Sequence, residues 1–285
     1  MERSLASVTG HPGPRENLGQ VGIDDSVIVQ ATRHLNKYWM LLLFSVGLGT
    51  IAGLSFVISG AQVPVLSLLC LVAFAGGVLS TWSPCGYSSL SLLRPSGTYS
   101  VSSVASWVPA FLAHGFGYLA GGAVLAAPLA FFAWLMPAGG FASGWALAVL
   151  GLIGLAYGLH QAGVVRIPYP QRRAQVPHRA RMELPMWQTG LLYGWLLGLN
   201  FVTYVRTPVL YLVVAAAVLS GNVGIAVLLV LSLNLGRFLP LVVNALPVAD
   251  WTVQRWMANH DQHALRADAG ILLFTGSLLV VWSLA

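Results

Sequence analysis

Ser83-Pro84-Cys85-Gly86-Tyr87-Ser88-Ser89-Leu90 follows an apolar run from Leu66 to Trp82 and holds one of the two cysteines in the chain. Pro84 has no N–H to donate and Gly86 has no Cβ, so the stretch predicts that a helix breaks or bends here. Irregular backbone at membrane depth persists only where protein buries it or where it lines a cavity. Two readings stand side by side. One is a helix end at the membrane surface whose cysteine merely packs; the other is a broken helix that presents Cys85 to a site.

The composition around this stretch sets the class. The chain has 285 residues, 57% hydrophobic and 8% charged, with a mean hydropathy of +0.77. Soluble domains carry about 25% charged residues. The expectation is an all-α polytopic membrane protein. The net charge of +6 would suggest nucleic acid in a soluble chain. Here the basic residues cluster in loops, so the expected partner is the lipid bilayer and not nucleic acid. Two cysteines in apolar surroundings make no disulfide framework.

Seven apolar stretches are legible: Tyr38–Ile58, Val63–Trp82, Val104–Met136, Phe141–Gln161, Trp187–Leu219, Val223–Leu246 and Ala269–Leu284. The third contains Pro109 and Pro128, and the fifth contains Arg206 and Pro208. Both exceed the about 20 residues of a straight span, which predicts tilting, kinking or breakage at the prolines. Residues 1–36 read as a polar tail and 37–285 as the transmembrane domain. Residues 164–186 read as a basic, proline-rich, solvated connector. Asp250–Asp268 reads as a short amphipathic helix in the interface, capped by Asp250.

Twelve of the fourteen Lys and Arg residues fall in the tail and in the loops after the second, fourth and sixth stretches; the opposite loops carry none. The positive-inside rule then predicts a bacterial inner-membrane protein with a cytoplasmic N-terminus and a periplasmic C-terminus. All acidic residues fall outside the seven stretches, which argues against a carboxylate proton relay. The intramembrane polar candidates are His114, Asn200, Arg206, Asn234 and Arg237. Snorkelling to a surface is the simplest role for Arg237, and a helix-packing hydrogen bond for His114. His260, Asp261 and His263 could suggest a metal, but two histidines three apart without a further ligand nearby are weak evidence, so no metal is expected, and no cofactor motif is present.

After the leading stretch, the other six fall into two sets of three. Residues 63–163 form one unit and 187–285 the other. Ser83–Leu90 in the first corresponds to Thr203–Leu210 in the second. Gly115-Phe116-Gly117 corresponds to Gly236-Arg237-Phe238-Leu239-Pro240. Three spans per unit is odd, so the units insert in opposite senses, as an inverted repeat with a central site built from broken helices.

On these motifs the chain resembles the CcdA/DsbD membrane family of thiol-disulfide electron carriers. Pro84-Cys85 is similar to that family's first motif. Pro208 is similar to the proline of the second, and Gly236 with Pro240 to the Gly-x-x-x-Pro of the fifth span. The resemblance implies a redox Cys85, with helix breaks at Pro84, Gly86 and Pro208 and near Gly236 and Pro240. It also implies a periplasmic thioredoxin-like partner. The second family cysteine falls on Val205, which has no thiol. Cys70 lies about 22 Å from Cys85 along a continuous helix, beyond the roughly 7 Å limit for a bridge. With one extra leading span and one lost cysteine, the chain resembles the methylamine-utilisation accessory membrane proteins within that family. This implies a non-catalytic role in the assembly, maturation or export of periplasmic methylamine dehydrogenase, beside other methylamine-utilisation assembly proteins. A CcdA/DsbD-like carrier for cytochrome c or periplasmic protein maturation, and a small-solute transporter, remain as alternatives. If Arg206 meets Cys85 at the repeat interface, it lowers the thiol pKa.

Overall fold

The computed structural model describes residues 39–59, 65–95, 99–136, 140–172, 174–177 and 179–284. The expected tail, residues 1–36, lies outside the described residues, as do the loops near Gly60 and Pro137. Among the described residues all regular structure is helical. The helices are α1 (Trp39–Ser59), α2 (Val65–Leu79), α3 (Pro84–Leu92), α4 (Val101–Leu135) and α5 (Gly144–Gln161), followed by α6 (Ala180–Glu183), α7 (Met186–Gly198), α8 (Val209–Leu219), α9 (Val223–Phe238) and α10 (Asp250–Trp282). Five helical stretches among the described residues are long and apolar enough to cross a membrane: Val65–Trp82, Val101–Leu135, Gly144–Gln161, Val223–Ala245 and Asp250–Trp282. Trp39–Ser55 and Val209–Leu219 are shorter apolar helices. This is an all-α membrane protein.

The helices break where local chemistry frees the backbone. After α2, one 3-10 turn covers Ser80–Trp82, and Ser83 is extended at φ −83°, ψ 156°. The Ser83 hydroxyl accepts from the Gly86 N–H at 3.3 Å, and Pro84 opens α3 where no donor is needed. The stretch read as Trp187–Leu219 is two short helices, α7 and α8, with residues 199–208 unwound between them. Asn200 turns the chain there with φ 57°, a left-handed conformation that asparagine tolerates better than most side chains. Past α9, the chain tightens to a 3-10 helix over Leu239–Ala245, beginning beside Pro240.

Three expectations are corrected. Pro109 and Pro128 do not break their helix, because α4 is a single helix of 35 residues. Neighbouring helices and side chains can take up the backbone groups a membrane proline frees. Asp250–Asp268 is not a separate interfacial helix. It is the first half of the 33-residue α10, whose N-cap is Ala249 and not Asp250. That continuity also overturns the placement of every acid outside the spans: Asp268 lies within α10 and is 2% exposed.

With lipid on the outside, helix association depends on close packing more than on excluding water. The helix α4 packs on α7, α2 on α9, α5 on α10, α1 on α10, and α4 on α9. Small residues set the approach. A Cβ on Gly190 would lie 2.5 Å from the Ala110 carbonyl oxygen, and one on Gly194 would overlap the His114 carbonyl. Gly77 and Gly236 meet the facing backbones of α9 and α2 in the same way.

Candidate functional site

The two helix breaks meet, and Cys85 lies at their meeting. It is 0% exposed. Its thiol donates to the Ala174 carbonyl at 3.4 Å, and the same carbonyl accepts from the Tyr204 N–H at 3.0 Å. One carbonyl thus ties the start of α3 to the unwound segment between α7 and α8. The segment carrying Ala174 was read as part of a solvated connector; instead it packs across the break. Gln171 holds Val205 from both sides, accepting from its N–H at 2.6 Å and donating to its carbonyl at 2.7 Å. The Tyr169 hydroxyl donates to that carbonyl at 2.9 Å, and Val176 is 2% exposed. The unwound strand has backbone groups with no helix to pair them, and this segment supplies partners.

Behind the breaks lies a buried polar network. Arg237 points inward and is 6% exposed, so it does not snorkel. Its Nη1 donates to the Leu197 carbonyl at 2.8 Å and to Asn200 Oδ1 at 2.6 Å. Asn200 Nδ2 donates to Asn234 Oδ1 at 2.9 Å and to the Gly198 carbonyl at 2.8 Å. Asn234 Nδ2 donates to the Tyr118 carbonyl at 3.2 Å and the Gly198 carbonyl at 3.1 Å. The network therefore joins the end of α7 to α4 and α9. His114 bonds through Nδ1 to the Gly190 carbonyl at 2.9 Å, and its ring meets Tyr118 edge-on at 5.0 Å.

Arg206 is elsewhere. Both its terminal nitrogens reach Asp261 on α10, with Nη2 at 3.0 Å from Oδ2, and Nη1 also reaches the Trp82 carbonyl at 3.4 Å. The expected pairing of Arg206 with Cys85 is corrected accordingly. Burial is the main influence on the Cys85 thiol and pushes its pKa up; the Arg237 charge opposes this, followed by hydrogen bonds from the backbone at Tyr204 and Val176 and from Thr203. Among the other expected residues, Pro84, Gly86 and Pro208 flank the two breaks, while Gly236 and Pro240 sit at the end of α9, away from the thiol's hydrogen bonds. Val205 is 0% exposed, but its side chain belongs to the apolar cluster of Leu69, Val72 and Val209, whereas Cys85 and Tyr204 belong to another.

Gln171 and Tyr169 were not identified from sequence, and Asp261 was weighed only beside His260 and His263 as a metal group, not as the partner of Arg206. Gln171 sits between a proline and an arginine in a polar run, which gives no local signal of its role. Asp261 contacts a residue 55 positions away, a separation no helical periodicity encodes.

Comparison with known proteins places the chain among close relatives. It is 53% identical over 225 residues, 79% of both chains, to the methylamine utilization protein MauF of Methylorubrum extorquens. It is 46% identical over 266 residues, 93% of this chain and 95% of the relative, to MauF of Paracoccus denitrificans. To MauF of Methylobacillus flagellatus it is 42% identical over 263 residues, 91% of this chain and 92% of the relative. No protein-family model matches the chain, and no solved structure matches it.

Proposed function

We propose, from the premise that this chain belongs to the MauF family of methylamine utilization proteins, that it supports the assembly, maturation or export of periplasmic methylamine dehydrogenase without itself catalysing a reaction. The observation that carries the reading is the sustained identity to MauF across most of the chain. The site is compatible with it. A dithiol relay needs two exchanging sulfurs, and the second break offers Val205, buried in a different apolar cluster from Cys85. In this reading the protein sits in the inner membrane with its N-terminus in the cytoplasm, following the basic loops. Its partners are other proteins of the methylamine pathway.

The same proposal treats the six helical stretches after α1 as two inverted units. The packing supports this: exchanging the units turns the contact of α4 with α7 into that of α9 with α2. The contacts of α5 with α10 and of α4 with α9 map onto themselves. Counting α1 and the α7–α8 pair as crossings gives seven.

The test is a strain deleted for this chain, grown on methylamine and restored with the wild type or Cys85→Ser. Methylamine dehydrogenase activity and subunit levels are read together. Loss on deletion with rescue by both is the expected result; normal enzyme in the deletion strain refutes the reading. Rescue by the wild type alone favours a second reading, thiol exchange through Cys85 with a periplasmic thioredoxin-like protein. Its support is the position of the thiol at the meeting of both breaks.

A further inference from the structure

Apart from the Cys85 junction, the breaks and α10 border a small, half-open cavity. Trp82, Gln161, Arg206, Thr207, Leu265 and Asp268 are among its walls, and its free volume suits one water-sized occupant. Asp268 is 2% exposed and lies in a helix long and apolar enough to cross a membrane. The Thr207 hydroxyl donates to its Oδ1. Its Oδ2 is buried with no hydrogen-bond partner.

The groups facing this carboxyl do not neutralise it. Arg206 is the cation on the cavity wall, but both its terminal nitrogens are held by Asp261, so that pair is already balanced. The Tyr169 hydroxyl gives its proton to the Val205 carbonyl. Arg266, two residues earlier on α10, is turned about 200° away around the helix. An isolated carboxylate in such a place costs several kcal/mol unless something compensates its charge.

We propose that this cavity is a site for one positive charge at Asp268 Oδ2, taken up as a proton or as a water-sized monovalent cation. Either occupant neutralises the carboxylate, and the free volume suits an occupant of about the size of one water. The inference does not depend on the methylamine reading, because it rests on the cavity and its unpartnered oxygen alone.

The test uses the full chain purified in detergent, as wild type and as Asp268→Asn. Thermal unfolding is followed across pH, and at fixed alkaline pH against sodium, potassium or ammonium chloride with choline chloride holding ionic strength constant. With a proton as occupant, the folded chain keeps a proton the unfolded chain has released, so wild-type stability falls as pH rises. With a cation as occupant, added salt raises the wild-type melting temperature by mass action. A shift of about 3 °C or more in one titration is expected, and it is absent from Asp268→Asn. Equal responses of the two chains in both titrations overturn the proposal. Should Asp268→Asn fail to fold, infrared spectra of wild type labelled at its aspartate carboxyls decide. A protonated-carboxyl band, or a carboxylate band that moves with added cation, supports the site; neither band overturns it.

Discussion

The two helix breaks differ in what holds them open. The first is shaped by its own residues: Ser83 caps its own helix, Pro84 supplies the first residue, and one 3-10 turn spans the gap, while the remote contacts at the Trp82 carbonyl and the Cys85 thiol tie it to its surroundings. The second, residues 199–208, is held from elsewhere in the chain. Gln171 clamps Val205, Asp261 holds Arg206, and Arg237 with Asn234 fixes Asn200. A break made by its own residues can form early and fail alone. One made by distant side chains forms only with the assembled bundle, so damage to it spreads to the helices it joins.

The largest losses therefore come from the second break's remote supports. Replacing Arg237 with methionine strips a charged donor from the Leu197 carbonyl and Asn200 Oδ1, both buried. The expected loss is about 3 kcal/mol, read as a lower midpoint in thermal unfolding of the purified chain. Arg94→Met removes a part-exposed ion pair with Asp250 and is the control, at under about 1 kcal/mol. A similar loss from both would mean that Arg237 is not a hub. Next is Gln171→Leu, which leaves the Val205 N–H and carbonyl short of a partner and costs about 2 kcal/mol. Hydrogen exchange should then rise at Val205 and Tyr204 while Gly86 and Tyr87 stay protected. Exchange rising equally at both breaks would erase the distinction.

Backbone geometry gives a finer probe. Asn200 has φ 57°, so Asn200→Ala loses the side-chain bonds and strains the turn, whereas Asn200→Gly loses only the bonds. The alanine variant should melt lower, by about 1 kcal/mol. At the first break, Ser83→Ala removes a cap and should cost about 1 kcal/mol, with exchange rising only in the first turn of α3.

This contrast also marks what the sequence could tell. The breaks at Pro84 and before Pro208 were legible because proline and glycine act on their own backbone. The close helix contacts were legible as small-residue faces. Pro109 and Pro128 misled, because some membrane prolines are absorbed by their neighbours without breaking the helix and others break it, and nothing local says which occurs. The length of α10 was obscured by its polar first half, which looked like a surface segment until Asp261 and Asp268 proved to face the bundle. Inward-facing Arg237 was misjudged for the same reason: its acceptors are carbonyls at the end of another helix and an asparagine side chain.

The gentlest perturbation asks the sharpest question of the two breaks. Val205→Cys puts a sulfur where the resemblance to thiol-disulfide carriers places the missing one, and a near-isosteric exchange should cost under about 1 kcal/mol. Tyr204 packs with Cys85, while the Val205 side chain packs with Leu69, Val72 and Val209. The neighbouring side chains of Tyr204 and Val205 thus lie in different clusters, and Gln171 holds the Val205 backbone in place from both sides. Mild oxidation of the folded variant should therefore form no disulfide between positions 85 and 205, so that all three cysteines, Cys70 included, alkylate fully without reductant once the chain is unfolded. In the folded chain Cys85 should react with maleimide only slowly, and faster only above the ordinary thiol range of about 8.5, because burial raises its pKa. A disulfide between positions 85 and 205 would show that the second break rotates about its clamp. The thiol-exchange reading would then regain the geometry that the resting structure withholds.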